Sequence, residues 1–327
     1  MRTRIARLVA VLAALAAILA APGLAISPAQ AAAPSAPTAA SPVAAASAAA
    51  AGQAAAAAGQ ATGTPVIAAV PPGQAADTWN PPANLVQPLN EVWNHVQSTY
   101  PNLYGFRNYG WDQVMANRGS VNYCVRWESD APVSAALRDR IHTALKKQFG
   151  KWMSVMVEGG TGHNAWPYTN VPVNIVGWAV KNRSTLQWTD NSVDIYAGNL
   201  DEGGAPQCAP DCGRFFHQDG NYSKCPGGAA RHYDQSLWLT KGFQGGAGGD
   251  WGQRVGQEYF TGALNQENIH IYLHEVGHTF GLDDFYDWTP TGQCCFLMKA
   301  GSAAQITEFD KWMFRDFWRH LKSRYGL

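Results

Sequence analysis

Apolar side chains recur every three or four residues in three segments of the chain, which predicts three amphipathic helices. The segments span residues 85–96, 137–152 and 309–321. Asp130 and Pro132 precede the second segment and mark the start of its helix. The apolar stripe of the third segment predicts a helix that packs against the core rather than against a partner.

Alternating apolar and polar residues predict β-strands between these helices. The strands are expected at residues 121–127, 173–180, 193–197 and 237–239. A glycine cluster at residues 245–249 lacks the Lys-Ser/Thr pair of a phosphate-binding loop, so we interpret it as a turn. The succession of helix, strands and further helices predicts a mixed α+β layout.

The first 76 residues differ in composition from the rest of the chain. Residues 1–31 combine three arginines, an apolar run over residues 8–21 and a small-residue cleavage site at residues 29–31, which are the parts of a secretory signal peptide. Residues 32–76 contain no charged or aromatic side chain and are interpreted as a disordered spacer or a pro-segment. We therefore expect a secreted, extracellular protein whose folded domain covers residues 77–327.

The charge balance gives no reason to expect a polyanionic partner. Loss of three arginines with the signal peptide reduces 24 basic residues to 21, against 24 acidic ones. This near-neutral balance lacks the electrostatic footprint of a nucleic-acid-binding protein. The apolar run is also shorter than the roughly 20 residues that cross a bilayer. We expect no stable membrane association after signal cleavage, and a monomer.

All six cysteines lie in the predicted exported domain, where disulfides are expected. Cys208, Cys212 and Cys225 share one Gly/Pro-rich loop, whereas Cys294 and Cys295 are adjacent. Adjacent cysteines seldom bridge each other, because the required geometry strains the peptide between them. We therefore expect these two to pair with cysteines elsewhere, and the sequence leaves the partners open.

The segment with the strongest chemical signal begins at His274. His274 and His278 are four residues apart, so on a helix both imidazoles lie on one face and can reach one ion. Glu275 follows the first histidine and can take a proton from a water on that ion. Gly281 permits the backbone conformation that ends a helix, and Asp284 can then supply a third ligand. Zinc suits imidazole nitrogens and carboxylate oxygens, and a catalytic zinc site keeps one position for water.

This segment resembles the extended zinc motif of the metzincins, HExxHxxGxxH, with Asp284 in place of the third histidine. The variant HExxHxxGxxD is found in snapalysin-like secreted neutral proteases, which also carry a tyrosine where Tyr286 stands. Met298 fits the methionine-containing turn that the metzincin resemblance implies beneath the metal. The resemblance covers roughly residues 268–301 and implies a disulfide-stabilised α+β fold. In that fold a twisted mixed sheet packs with an active-site helix and a C-terminal helix.

Two assignments near the motif stay open. Asp283 is an alternative third ligand, although the spacing favours Asp284. Tyr286 either assists the oxyanion, adds a ligand to the metal, or packs with Phe285 and Trp288.

Three further histidines are candidate metal ligands. His270 lies one turn before His274, but His270 and His278 are separated by about 12 Å of helix rise, so one ion cannot be reached by all three. His217 and His232 flank cysteines and raise the alternative of a second metal. Disulfides with solvent-facing histidines are the favoured interpretation in an oxidising compartment.

These observations predict a secreted endopeptidase that hydrolyses the bonds of a protein or peptide substrate through a zinc-activated water. His274, His278 and Asp284 are the predicted ligands of one catalytic Zn²⁺ ion, and Glu275 and Tyr286 the predicted catalytic residues. Ca²⁺ is possible near the acidic residues that follow the motif, but no loop pattern supports it.

A binding protein is the alternative from another functional class. The chain has 13 tryptophans, which could line the surface of a secreted polysaccharide-binding module with a structural or vestigial zinc site. Tryptophans also dominate protein cores, so packing is the simpler account. If the chain is a peptidase, we expect its specificity to depend on the pocket wall after Met298 and on an edge strand near residues 237–240.

Overall fold

The computed structural model describes residues 79–160 and 162–327. The predicted signal peptide (residues 1–31) and the predicted spacer (residues 32–76) lie outside the described residues. Within the described part of the chain, no helix combines the length and apolar character that crossing a bilayer would require.

Helices and strands alternate along the described residues in an α+β arrangement. The helices are α1 (Ala83–Thr99), α2 (Gly110–Ala116), α3 (Ala135–Val155), α4 (Gln257–Gly262), α5 (His270–Thr279) and α6 (Glu308–Leu321). The strands are β1 (Val121–Glu128), β2 (Val133–Ser134), β3 (Val173–Val180), β4 (Leu186–Gln187), β5 (Asp194–Ala197), β6 (Gln235–Thr240), β7 (Gly246–Gly249) and β8 (Gly252–Gly256).

A six-stranded sheet with the order β5-β3-β1-β6-β8-β7 forms the centre of the fold. Its first five strands are parallel, and β7 alone runs antiparallel to its neighbour β8. The strands β2 and β4 form a separate parallel pair. The prediction of an edge strand near residues 237–240 is wrong, because β6 lies between β1 and β8. The edge next to β8 is formed by β7.

The periodic segments predict the long elements correctly. The three predicted helices are confirmed as α1, α3 and α6, and the four predicted strands as β1, β3, β5 and β6. Helix α3 begins where the Ser134 side chain accepts a hydrogen bond from Leu137 N. Helix α6 begins with a capping box formed by Thr307 and Asp310.

The interpretation of the glycine cluster as a turn is wrong, because Gly246–Gly249 forms β7. This strand lies so close to α5 that a Cβ atom at Gly248 would come within 2.4 Å of the Glu275 carbonyl oxygen. Glycine is therefore required there by packing between a strand and a helix rather than by turn geometry.

Aromatic side chains fill the core. All tryptophans lie among the described residues, and none of their side chains is exposed. Eight are buried and the other five are partly buried. The buried ones are Trp93, Trp111, Trp127, Trp152, Trp166, Trp178, Trp188 and Trp318. Core packing therefore accounts for most of the tryptophan content.

Three disulfides join the cysteines: Cys124–Cys208, Cys212–Cys225 and Cys294–Cys295. The expectation that the two adjacent cysteines pair with cysteines elsewhere is therefore wrong. The fold brings the Cα atoms of the first pair to 6.2 Å and of the second to 4.6 Å, which suits disulfide formation. Cys294 and Cys295 are the two cysteines left, and they are bonded to each other.

Candidate metal centre

Helix α5, which carries the histidines of the motif, is fixed between α3 and the edge of the sheet. On one side, Trp152 Nε1 donates a hydrogen bond of 2.8 Å to Leu273 O. On the other side, Thr279 Oγ1 donates a hydrogen bond of 2.9 Å to Gly249 O. These contacts set the rotation of α5 and thus the direction in which its histidines point.

A glycine-terminated turn ends α5 and returns the chain towards it. Gly281 has a φ of +96°, and its N–H donates to His278 O at 3.0 Å. Leu282 N donates to Gly277 O at 3.1 Å, which completes the paired hydrogen bonds of a Schellman motif. The predicted role of Gly281 in ending the helix is confirmed, and the reversal brings Asp284 back over the helix.

The structure brings His274, His278 and Asp284 together. The two Nε2 atoms of the histidines are 3.1 Å apart. Asp284 Oδ1 lies 3.0 Å from His274 Nε2, and Asp284 Oδ2 lies 3.4 Å from His278 Nε2. Donor atoms bound to a tetrahedral zinc ion at roughly 2.0–2.2 Å are about 3.4 Å apart, so the three side chains can hold one such ion.

Two backbone carbonyls fix the tautomers of these histidines. His274 Nδ1 donates to Leu297 O and His278 Nδ1 donates to Leu282 O, each at 2.8 Å. When the rings are neutral, both Nε2 atoms therefore present lone pairs to each other and to the Asp284 carboxylate. Electron pairs in such an arrangement repel one another unless a cation lies between them, so the chemistry of this donor set suits a metal ion.

The carboxylates near the histidines have separate environments. Glu275 is close enough to the histidines to be considered a ligand, but its Oε2 is 3.8 Å from His278 Nε2, farther than the Asp284 oxygens are from either ring. Asp283 is turned towards α1, where its Oδ1 accepts from Tyr100 Oη at 3.0 Å. Of the three acids, Asp284 is thus the best placed ligand and Glu275 lies beside the centre.

The charges of the site shift the pKa values of its groups. Burial lowers the pKa of His278, but the Asp284 carboxylate outweighs it and raises this pKa to about 9. Burial raises the pKa of Asp284, but hydrogen bonds from His274 and His278 outweigh it and hold this pKa well below its usual range. Burial raises the pKa of Glu275, whose side chain is almost enclosed. The site therefore favours a positive charge at His278.

Met298 lies directly beneath the motif helix. A Cβ atom at Gly277 would be 2.3 Å from Met298 Sδ, so the thioether contacts α5 between the two histidines. The neighbouring Leu297 supplies the carbonyl that holds His274. The methionine turn implied by the resemblance stays a prediction.

Asp310 holds that turn in place, and the sequence analysis missed this role. Its buried carboxylate accepts hydrogen bonds from Leu297 N at 2.8 Å, Met298 N at 3.1 Å and Thr307 N at 2.8 Å. The sequence contains one usable signal, since Thr307 and Asp310 have the spacing of a capping box. The contact with the turn itself is visible only in three dimensions.

Tyr286 lies on the open side of the centre. Its side chain is 72% exposed, whereas the neighbouring Phe285 is buried and packs with Trp288. Partial burial of its hydroxyl, together with the charges of Asp284 and Glu275, raises its pKa to about 12. Its hydroxyl, which also interacts with the Asp284 carboxylate, therefore remains protonated at neutral pH and can donate a hydrogen bond.

Strand β7 covers Glu275 from the side of the sheet. A Cβ atom at Gly246 would lie 2.1 Å from Glu275 Oε1, so the strand backbone passes directly over the carboxylate. One edge of β7 pairs with β8, and no other described strand pairs with its second edge. The candidate metal centre is thus bordered by a strand edge that can accept a further extended chain.

The three other histidines weighed as metal ligands, His270, His217 and His232, have different surroundings. The Nδ1 atom of His270 and the hydroxyl of Tyr259 are hydrogen-bonded at 2.8 Å. The cysteines next to His217 and His232 form the Cys212–Cys225 disulfide, so they supply no thiolate for a metal.

Comparison of the chain with protein-family models, with curated proteins and with solved structures found no match.

Proposed function

We propose that the chain is a zinc-dependent endopeptidase in which His274, His278 and Asp284 hold one catalytic zinc ion and Glu275 is the general base. The observation that carries the proposal is the convergence of two carbonyl-fixed Nε2 atoms and one carboxylate next to a buried glutamate. The methionine beneath α5 adds support to the metzincin resemblance.

Bound at these ligands, zinc would supply Lewis-acid activation of a water molecule and of the scissile carbonyl. Glu275 would take a proton from the attacking water and deliver it to the leaving amine. Its burial raises its pKa towards neutrality, which suits a group that must both accept and release a proton. Tyr286, exposed and protonated, would donate a hydrogen bond to the developing oxyanion.

The substrate class follows from β7. An extended peptide can add to the open edge of this strand through backbone hydrogen bonds. Three of its four residues are glycines, so the strand presents backbone rather than side chains to a substrate. We therefore propose a protein or peptide substrate bound in extended form, cut by a secreted monomer.

The test is Glu275→Gln, which keeps the shape of the side chain and removes its basicity. The variant should retain about one zinc ion per chain. It should also lose roughly 100-fold to 10,000-fold in turnover of a casein or peptide substrate, because general-base catalysis is lost. His270→Gln is the matched control on the same helix and should keep both zinc and activity.

Undiminished proteolysis by Glu275→Gln would refute the assignment of the base. Wild-type protein that binds no zinc, or whose proteolysis resists chelators, would refute the zinc peptidase itself. The polysaccharide-binding alternative is weakened by the burial of the tryptophans. If the Glu275→Gln variant is pulled down by insoluble polysaccharide, polysaccharide binding is shown directly.

A further inference from the structure

A second group of polar side chains, of the types that can bind metal ions, lies where β1 and β6 begin. Asp234 precedes β6, and its backbone N–H donates to Asn122 O at 2.8 Å. Its side chain has no solvent exposure, and its Oδ2 accepts from Asn122 N at 2.8 Å and from Asn117 Nδ2. One of the two carboxylate oxygens is thus fully accounted for.

The other oxygen, Asp234 Oδ1, is buried, and no hydrogen-bond donor of residues 79–160 and 162–327 reaches it. A buried carboxylate oxygen without a partner costs free energy that a folded protein ordinarily avoids. His232 Nε2 lies 3.7 Å away, which is too far for a hydrogen bond.

The orientation of His232 is fixed in the same way as that of the histidines on α5. Its Nδ1 bonds Ala229 O, which can only accept, so Nδ1 carries the hydrogen. Its Nε2 faces Asn117 Oδ1 at 3.0 Å, Asp234 Oδ1 at 3.7 Å and Asn122 Nδ2 at 3.4 Å. The amide of Asn117 cannot be reversed, because its Nδ2 donates to Asp234 Oδ2.

Two oxygens and one amide N–H therefore face the Nε2 of His232, and a cation bound by Nε2 and both oxygens would also give Asp234 Oδ1 a partner. A proton on Nε2 would serve Asn117 Oδ1 but would leave Asp234 Oδ1 without a hydrogen bond at 3.7 Å. The two oxygens lie 3.0 and 3.7 Å from Nε2, and these separations bracket the roughly 3.4 Å expected between donors around tetrahedral zinc.

The imidazole of His232 is held by a neighbouring ring and remains open to solvent. One face of the imidazole stacks on Tyr222 at 4.5 Å. The His232 side chain keeps 14% exposure, so an ion can approach from solvent.

We propose that His232 Nε2, Asp234 Oδ1 and Asn117 Oδ1 form a second divalent-cation site, with zinc as the ion that an imidazole and a carboxylate favour. The site joins the loop closed by the Cys212–Cys225 disulfide to the amino ends of β1 and β6. Its role is structural, and it stands independently of the proposed peptidase centre.

The experiment measures zinc bound to the full chain after equilibrium dialysis. The double variant His274→Ala/His278→Ala should keep about one zinc ion, and adding His232→Asn should reduce the content to none. His217→Asn, on the same loop, is the matched control and should leave the zinc content of the double variant unchanged. A double variant that binds no zinc would overturn the proposal.

A measurement on wild-type protein covers the case in which a variant fails to fold. Zinc titration should shift the ¹⁵N resonance of His232 Nε2. A resonance that reports protonated Nε2 and does not respond to zinc would overturn the second site. Wild-type protein whose only zinc survives the double substitution and disappears with His232→Asn would support this site and refute the centre on α5.

Discussion

Replacement of Gly246 by alanine tests whether β7 fixes the position of Glu275. The added Cβ atom would lie 2.1 Å from Glu275 Oε1 and 2.7 Å from Ile271 Cγ2. Ordinary van der Waals contact begins at 3.4 Å. Either the carboxylate or the edge strand must therefore move by about 1.3 Å, the difference between the observed and the ordinary distance to Oε1.

A shift of this size should reduce catalysis much more than metal binding. Glu275 is 5% exposed, so its carboxylate cannot simply turn into solvent. Misplacement of a catalytic group by about 1 Å can cost about 100-fold in rate. We expect kcat/KM of Gly246→Ala to fall about 100-fold, equivalent to about 2.7 kcal/mol of transition-state stabilisation. Zinc content should stay unchanged, because the atoms closest to the new methyl group belong to Glu275 and Ile271 and not to the proposed ligands.

The assay is cleavage of a fluorogenic peptide, with zinc content and thermal unfolding measured on the same samples. Gly262→Ala is the matched control, because a Cβ atom at this position of α4 would meet nothing within 4 Å. It should behave as wild type. Wild-type kcat/KM in a Gly246→Ala variant that holds its zinc would show that β7 does not constrain Glu275.

Asp310→Asn should lower the free energy of unfolding by about 2–3 kcal/mol and weaken zinc binding, because the buried carboxylate holds the backbone at Leu297. Urea unfolding measures the first effect and competition with a chelating dye the second. An unchanged urea midpoint would contradict this role of Asp310. Burial lowers the pKa of His142 from 6.5 in the unfolded chain to about 4 in the folded protein. As the pH falls, the imidazole is therefore protonated in the unfolded chain before it is protonated in the folded one. The stability that is present above pH 6.5 is lost as the pH falls towards 4. The free energy of unfolding should fall by about 2–3 kcal/mol over this pH range, and His142→Gln should flatten the pH dependence of the urea midpoint. An equally steep profile in the variant would argue against this role of His142. Alanine at both Cys124 and Cys208 opens a loop of 84 residues and should cost about 4 kcal/mol, visible as a lower Tm, and an unchanged Tm would exclude a stabilising bond.

Elements governed by local rules were predictable from the sequence. Helices α1, α3 and α6 follow from apolar periodicity, because each buries one face against the core. The candidate ligands share this advantage. They lie within residues 274–284, where helix geometry and one left-handed glycine are enough to bring them together.

Elements that depend on distant partners were not predictable in this way. Strand β7 has almost no side chains to show a period, and it exists because it pairs with β8 and rests on α5. The prediction for the adjacent cysteines failed for the same reason. The fold brings Cys124 to Cys208 and Cys212 to Cys225, and Cys294 is bonded to Cys295.

The sequence alone thus determined the set of donor types, two imidazoles and an acid at helical spacing, since that depends on a short stretch of backbone. Tertiary structure decided which atoms of the set meet. The Leu297 carbonyl, held through Asp310 on α6, directs the His274 Nε2 lone pair inward, while Tyr100 on the segment after α1 draws Asp283 away and leaves Asp284 at the centre. These contacts join residues far apart in the chain, and only the packing of whole helices brings them within hydrogen-bond distance.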